Sequence, residues 1–457
     1  MNISTTLHIE PLEHSVDLLA LVQSFPDKYP FLLESVAQSP SNSRYDILFA
    51  YPQANLWLAA DGQIHQHNIA LDGKDFFTVF DAWFQNEYVE INSDLPFSGG
   101  WFVFLAYEFA QWVEPVLDLP KDTANTLPIA YFSRIPAALI VDHQTQTTSI
   151  LVEDEYSFLL EQITIDVQDV RQNHNHANCR FTLKEEEPQA YLDAVKKIKK
   201  YIINGDVFQV NLSRLWTAIL AEELDAQDLY ARLKQANPAP FAGLALFENA
   251  SVISSSPERL VKVSKDLVET RPIAGTRPRV RDAGGDIDQQ ANEILQAELL
   301  AHPKERAEHV MLIDLERNDL GRICQPGTVE VNELMVLESY THVHHIVSNV
   351  RGQKKTDVSP MDIIRAVFPG GTITGCPKVR CMEIIAELEK TPRMAYTGSM
   401  GYLNRNGDMD LNILIRTIIK QDNRLFIRAG AGIVADSDPE KELQETRAKA
   451  RGMLNAL

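Results

Sequence analysis

The order in which β-forming runs follow one another limits what this chain can fold into. Runs such as YDILFAY (45–51), LWLAA (56–60) and AALIVD (137–142) alternate with turns in the first part. Further strands are expected at 207–218, 242–247, 251–255 and 259–270, and again near 395–404, 409–419 and 424–435. Helices are expected at 73–87, 289–301, 303–315, 360–367 and 377–389, and at the end of the chain. Another covers PQAYLDAVKKIKKYIINGD, where Leu192, Val195, Ile198 and Ile202 recur near helical spacing and Gly205 is a natural stop. Strands that come in runs, instead of alternating one by one with helices, favour an α+β fold with large, mostly antiparallel sheets. The polar stretch DVRQNHNHANCR (169–180) divides residues 1–170 from 185–457. Its His174, His176 and Cys179 match no zinc spacing, so it is expected to be a linker or an exposed loop.

Charge narrows the function. A net charge of −20 over 457 residues opposes nucleic acid or an anionic membrane as partner. Any anionic ligand must therefore meet local positive charge or a metal ion. No apolar run approaches the roughly 18 residues of a membrane span, and MNISTTLHIEPLEH lacks the basic and apolar regions of a secretion signal. Four cysteines are too few for a disulfide framework in a chain of this length. A cytoplasmic location is expected.

Several motifs can carry chemistry. RPIAGTRPRV (271–280) offers Arg271, Arg277 and Arg279 as an anion clamp around a plain methyl group, Ala274. In SDPEKELQETRAKARGM, Asp438 suits an N-cap and Pro439 the first helical position, which sets Glu442, Glu445 and Lys449 on one face. HPKERAEHVMLIDLERNDLGR does the same for Glu305 and Glu308. Either these are solvated, salt-bridged stripes, or the two helices hold one hard cation. Mg²⁺ takes one or two carboxylates, waters and oxygens of an anionic substrate. FPGGTITGCPKVRCMEII (368–385) is a glycine-rich loop entering a helix, an anion site by its free N–H groups. Gly375 is followed by Cys-Pro-Lys, not by the Lys-Ser/Thr of a nucleotide loop, so a carboxylate fits better. AGAGIVADS (429–437) is either a second close backbone approach or a tight sheet corner. Glu258 in SSSPERL is a surface residue or an acid, and His345 in THVHHIVSNV is a core histidine or a ligand contact. Cys324 and Cys376 lack the surroundings of a glutaminase nucleophile, so the chain is not expected to release ammonia from glutamine.

SSSPERL, RPIAGTRPR, KERAEHVMLIDLERNDLGR, HHIVS, FPGGTITGCPK, YTGSMGY, IRT, AGAGIVADS and ELQETRAKA occur here in one order. That order resembles the chorismate-utilising enzymes, whose branches make anthranilate, aminodeoxychorismate, isochorismate and salicylate. The likeness runs from about 185 to 457, and YPFLLES and DLPFSGG extend it into residues 1–170. It implies a layered α/β/β/α sandwich and chorismate as substrate. It also implies Mg²⁺ held by Glu308 and Glu445, with Glu305 and Glu442 as further or alternative ligands. Glu258 would be the general acid that protonates the departing C4 hydroxyl. Tyr396, Arg416, Lys449 and the backbone around Gly430 and Gly432 would hold the enolpyruvyl carboxylate. Gly275, Thr276, Thr374 and Gly375 would line the ring-carboxylate side, with His345 against the ring.

The resemblance also implies the nucleophile. Water-adding members carry a lysine base where this chain has Gln209, which cannot deprotonate water; ammonia needs no such base. Ammonia would come from a separate glutamine amidotransferase subunit. Ala274 is shared with the anthranilate branch, whereas some aminodeoxychorismate enzymes carry lysine there. Asn211 in FQVNL, Ser399 in GSMGY, and GGWFVFLAYEFAQWVEP favour the aminodeoxychorismate branch, the expectation adopted, with the anthranilate branch as its alternative. Leu33, Glu34 and Ser35, opposite Pro240 in NPAPF, would border a tryptophan pocket. A non-catalytic tryptophan-binding regulator would lose acid or metal residues, yet Glu258, Glu308, His345, Glu445 and Lys449 are all present.

Overall fold

A computed structural model describes residues 6–37, 44–91, 93–122, 124–170, 180–281, 287–339 and 343–457. His174, His176 and Cys179 lie outside the described residues. Among the described residues, the strands form one sheet of 12 and one of 11, and the pairings are antiparallel throughout.

The strand Gly100–Leu105 shows how sequence alternation builds the layers. Phe102 and Phe104 point into the core between the sheets, while Trp101, Val103 and Leu105 point outward into a core shared with helices. Side chains alternate across a strand, so an entirely apolar strand is one covered on both faces. Phe31 and Phe49 from the first sheet meet Phe102 from the second, Phe31 and Phe102 stacking at 3.9 Å with only 4° between their planes. Outside the first sheet pack the helices Leu18–Ser24, Leu159–Asp169, Ala226–Ala236 and Pro439–Leu454, with Pro188–Ile203 and Lys378–Glu389 in a neighbouring cluster. Outside the second lie Phe76–Glu87, Pro303–Ile323 and Pro360–Val367. This is the α/β/β/α sandwich that the motif order implies.

Residues before 171 and after 179 share both sheets. Phe31–Glu34 pairs with Phe241–Phe247, and Gly100–Leu105 pairs with Ser399–Asn404. Among the described residues, no helix is long and apolar enough to cross a membrane.

Three elements differ from the sequence expectation. The helix begun at Pro303 runs on to Ile323. The run 259–270 is a hairpin of Arg259–Ser264 and Leu267–Thr270, turned at Lys265, whose φ is +57° and whose N–H donates to Asp408. The run 409–419 is broken into Met409–Asn412 in the second sheet and Thr417–Gln421 in the first. The chain therefore crosses between sheets at 413–416, where Arg416 takes φ +54°.

A second crossing lies against it. Ala250–Ser256 belongs to the first sheet and Arg259–Ser264 to the second. Pro257 between them has no N–H with which to continue a ladder. The crossings are tied together: Ser256 Oγ donates to Ile413 O, and Ile413 N–H donates to Glu258 O at 3.0 Å.

Replacing Phe102 with Ala should cost about 3–5 kcal/mol, because it removes one ring of a closed stack. A denaturant titration should show a lower midpoint, with Phe102→Leu losing less.

Candidate active site

The site is assembled at those crossings. In the strand Gln209–Leu220, Val210 and Leu212 face the helical layer, so Gln209, Asn211 and Ser213 face the other way. On its partner Arg424–Ile433, Ala431 and Ile433 share the helical side, which leaves Gly430 and Gly432 opposite Ser213 and Asn211. A Cβ on Gly430 would lie 2.7 Å from Leu212 O and from the Tyr396 hydroxyl, and one on Gly432 would lie 2.6 Å from Gln209 Nε2. AGAGI is thus a bare floor against which Tyr396, Asn211 and Gln209 pack.

Above this floor opens a cleft of about 780 Å³. Glu258 enters it from the crossing at Pro257, and Ile415 and Arg416 from the crossing at 413–416. The strand Ile273–Pro278 contributes Ala274 and Gly275 and pairs with Val343–Gln353, which brings His345 alongside. The register shifts between Ala274 and Thr276, and Gly275 at the bulge has φ +66°. Any side chain there would be strained and would meet Leu299 and Glu305 within 3 Å. The helix Pro303–Ile323 contributes Glu305, Glu308 and Leu312; the last helix contributes Glu442, Glu445 and Lys449.

Burial pushes the Glu258 carboxyl up to about 7, against the opposing pull of the Thr372 hydroxyl and of Lys449. Thr372 Oγ1 donates to Glu258 Oε1 at 2.6 Å. A carboxylic acid poised near neutrality inside a cleft can deliver a proton. Burial drives the His345 imidazole down to about 4, so the ring is neutral at pH 7. Its Nδ1 lies 3.2 Å from Gly275 O and must carry the hydrogen, which leaves Nε2 the basic nitrogen. Tyr396 is pushed up to about 12 by burial and stays a hydroxyl donor. Arg416 lines the cleft with no ion pair among the described residues; one of its nitrogens donates to Asn237 Oδ1 at 3.3 Å. Desolvation lowers its pKa, so an anion placed beside it would favour its charged form. Lys449 Nζ bridges Gly430 O at 3.1 Å and Glu445 Oε1 at 2.7 Å. Cations for a carboxylate thus stand beside the glycine floor, and the four glutamates of the two helices share the same cleft.

The cleft gathers Gln209, Glu258, Ala274, Gly275, His345, Tyr396, Arg416, Gly430, Gly432 and Lys449, together with Glu305, Glu308, Glu442 and Glu445. It leaves out Thr374 and Gly375. Thr374 is fully buried, with its hydroxyl turned to Gly370 O at 2.9 Å, and Gly375 pairs with Val210 behind the floor. Thr372 and Ile373 line the cleft in their place. Thr276 pairs through its backbone with His345. The arginine clamp does not form. Arg271 is held away by Glu333 and Glu338, each at 2.6 Å; Arg279 is not part of the lining; and Arg277 is engaged by Glu305 at 3.3 Å and Glu298 at 3.4 Å. Asn211, Thr372 and Arg428 join the site without having been assigned roles there from the sequence. Arg428 is a salt-bridged part of the wall, 3.3 Å from Glu389. Among the described residues, no three His, Cys, Asp or Glu side chains converge tightly enough to form a closed metal site.

Leu33, Glu34, Ser35 and Pro240 come together elsewhere, in a separate cavity of about 560 Å³. Ser35 Oγ donates to Pro240 O at 3.1 Å, and Glu34 pairs with Lys234 at 2.8 Å.

Glu258→Gln keeps the oxygen that accepts from Thr372 and removes the charge. A carboxyl raised from 4.5 to about 7 lets the folded state hold an extra proton between those values, so wild-type stability falls as pH rises through that window. At pH 8 the variant should be the more stable, by on the order of 3 kcal/mol at 1.36 kcal/mol per unit, and at about pH 4 the difference should vanish. Melting curves across this range check it.

Comparison with known proteins adds to this geometry. The family model described as chorismate binding enzyme matches residues 30–455. The aminodeoxychorismate synthase component 1 of Bacillus subtilis (strain 168) is 40% identical over 448 residues, 94% of this chain and 92% of that protein. An anthranilate synthase component I-like protein of Synechocystis is 43% identical over 372 residues, 80% of this chain and 74% of that protein. The crystal structure of anthranilate synthase component I from Streptococcus pneumoniae TIGR4 superposes with a TM-score of 0.78 at 32% identity, covering 91% of this chain and 93% of that one.

Proposed function

Because the chain belongs to the chorismate-binding enzyme family and is a chorismate-utilising enzyme, we propose that it aminates chorismate with ammonia to give 4-amino-4-deoxychorismate, a precursor of p-aminobenzoate and folate. The observation that carries the reading is the pair formed by Glu258, a buried acid titrating near 7, and Gln209, a residue with no basic lone pair, in one cleft. The cleft can protonate a leaving hydroxyl but has no lysine at Gln209 to deprotonate water. The nucleophile must then attack without first losing a proton, as ammonia can.

In this reading, Arg416, Tyr396 and Lys449 hold the enolpyruvyl carboxylate over the glycine floor, and His345 stays neutral against the ring. Glu258 gives its proton to the departing hydroxyl, which leaves as water while a C–N bond forms. The new ammonium nitrogen returns one proton to the carboxylate. Glu308 and Glu445, with Glu305 and Glu442 near, suit Mg²⁺: they are all-oxygen donors on two helices facing one cleft, and this ion keeps waters and substrate oxygens in its shell. Bound there, Mg²⁺ would supply positive charge to the ring carboxylate. A separate glutamine amidotransferase subunit would supply ammonia.

Amination at C2 to anthranilate is the second reading. Ala274 favours it, because its methyl lines the cleft and cannot form a covalent adduct with the ring. Chorismate, Mg²⁺ and ammonium should yield 4-amino-4-deoxychorismate, trapped as p-aminobenzoate by adding the corresponding lyase and separated by chromatography. Omitting Mg²⁺ should abolish turnover. Fluorescent anthranilate as main product would transfer the assignment to the second reading.

The cavity at Leu33, Glu34, Ser35 and Pro240 is proposed to take tryptophan without control over amination. Tryptophan at a hundredfold excess over its Kd should then stabilise the fold by about 2.7 kcal/mol, read as a thermal shift, and leave the rate unchanged. Strong inhibition would point to the anthranilate branch, and no shift would remove tryptophan as the occupant.

A further inference from the structure

The turn that carries Tyr396 into the cleft is held by a residue from the first part of the chain. Gly100–Leu105 pairs with Ser399–Asn404, with Leu105 opposite Ser399, so the residues after the first strand lie beside those before the second. Glu108 follows the first strand, in the short helical turn Tyr107–Phe109, and the turn at 394–397 precedes the second. Glu108 Oε1 accepts from Arg393 N–H at 2.7 Å and from Met394 N–H at 3.3 Å, while Tyr107 N–H donates to Met394 O at 2.8 Å. Tyr396 N–H donates in turn to Arg393 O at 3.0 Å, which passes the position on to the tyrosine. Met394 and Thr397 take φ +54° and +63°. Side chains rarely adopt such left-handed values, which persist only where surrounding contacts fix them. Leu414 O fixes Thr397, 2.7 Å from its N–H, and Tyr107 with Glu108 fixes Met394.

We infer that Glu108 is a positioning residue for Tyr396, and through it for the carboxylate of chorismate. The inference rests on the reading above in which Tyr396 holds the enolpyruvyl carboxylate, and it applies whether C4 or C2 is attacked. Glu108 does not line the cleft, so its effect must travel through the turn. A tyrosine hydroxyl is one donor at the end of a rigid ring, and a small rotation of the turn moves it off its acceptor. Without Glu108, the N–H groups of Arg393 and Met394 would lose their acceptor, and the turn would shift to find another. The Arg393 guanidinium does not replace this tie. It lies 4.9 Å from the Tyr107 ring centre and 5.5 Å from that of Tyr396, but its own donors go to Glu389, Asn211 O, Ile373 O and Thr397. Desolvation pushes the Glu108 carboxyl up to about 7, against the pull of the two N–H groups and of Arg428. Protonated or not, the carboxyl keeps an oxygen for those N–H groups, as would an amide.

The test uses the purified full chain with Mg²⁺, reading chorismate affinity by equilibrium binding and the two KM values by turnover. Glu108→Met removes the acceptor at similar size and should weaken chorismate binding about tenfold, the scale of one hydrogen bond to a charged group. The ammonia KM and kcat should change by less than about twofold, because the contact holds substrate and transition state alike. Glu108→Gln keeps an oxygen for both N–H groups and should retain wild-type affinity. Tyr396→Phe should also weaken binding about tenfold. Adding Glu108→Met to it should bring no further loss, since both changes remove one contact. Melting curves report folding; if Glu108→Met does not fold, Glu108→Asp withdraws the oxygen and should show a smaller loss of the same kind. Wild-type affinity in the folded Met or Asp variant, losses that add in the double variant, or a Gln variant as weak as Met overturns the positioning role. Tyr396→Phe with wild-type affinity overturns the place of Tyr396 in the reading above and this inference with it. Because affinity is read without turnover, a chain that forms no amine overturns the amination reading alone.

Discussion

The structure turns on a carboxylic acid buried where the chain leaves one sheet for the other. Glu258 is 6% exposed and follows Pro257, which ends the strand Ala250–Ser256. Placing a carboxyl there is unfavourable for its charged form, and that penalty is what raises its pKa to about 7. The burial needs both sheets. Ile413 of the neighbouring crossing receives a hydrogen bond from Ser256 and donates one to Glu258 O, so the acid cannot shift without disturbing both crossings.

Beside the floor, buried charge holds the wall of the cleft. Glu389 is enclosed by Arg393 at 2.6 Å and Arg428 at 3.3 Å, and its carboxyl is held below the usual range despite desolvation. Arg393 also donates to Asn211 O at 2.7 Å, to Ile373 O at 3.1 Å and to Thr397 Oγ1 at 3.3 Å. One buried guanidinium thereby fixes the strand that carries Gln209 and Asn211 against the loop that carries Thr372. Buried ion pairs contribute little net stability but break expensively. Here the buried pair holds the turn that carries Thr372 against the strand that carries Asn211.

The layers were legible from alternation and the paired glutamates from helical spacing, whereas Glu258, His345, Tyr396, Arg416 and the glycine floor were assigned by the motif order that resembles the family. Glu305 with Glu308, and Glu442 with Glu445, lie at i, i+3 on two helices and do reach one cavity. Gln209 was singled out by the resemblance alone; the structure adds that Val210 and Leu212 face the helical layer and leave it the cleft side. What escaped notice depends on direction changes that residue type does not announce. Arg271 and Arg277 share a motif but part company at the bulge around Gly275, so that one joins Glu333 and Glu338 and the other faces the cleft. In TIT, Thr372 and Thr374 carry the same hydroxyl, and only the turn Gly371–Ile373 decides that Thr372 meets Glu258. The break at 413–416 was hidden because LNILIRTII is apolar enough for one continuous strand; the crossing is set by pairing with two different sheets.

The chemistry of the cleft rests on Glu258 being an acid with a proton to give near neutral pH. It can be measured without turnover, by carboxyl-carbon NMR of the protein labelled at glutamate, with Glu258→Gln used to assign the resonance. Glu258 should titrate with a midpoint near 7. A midpoint near the ordinary 4.5 would mean that the carboxylate is charged at neutral pH, and would contradict it.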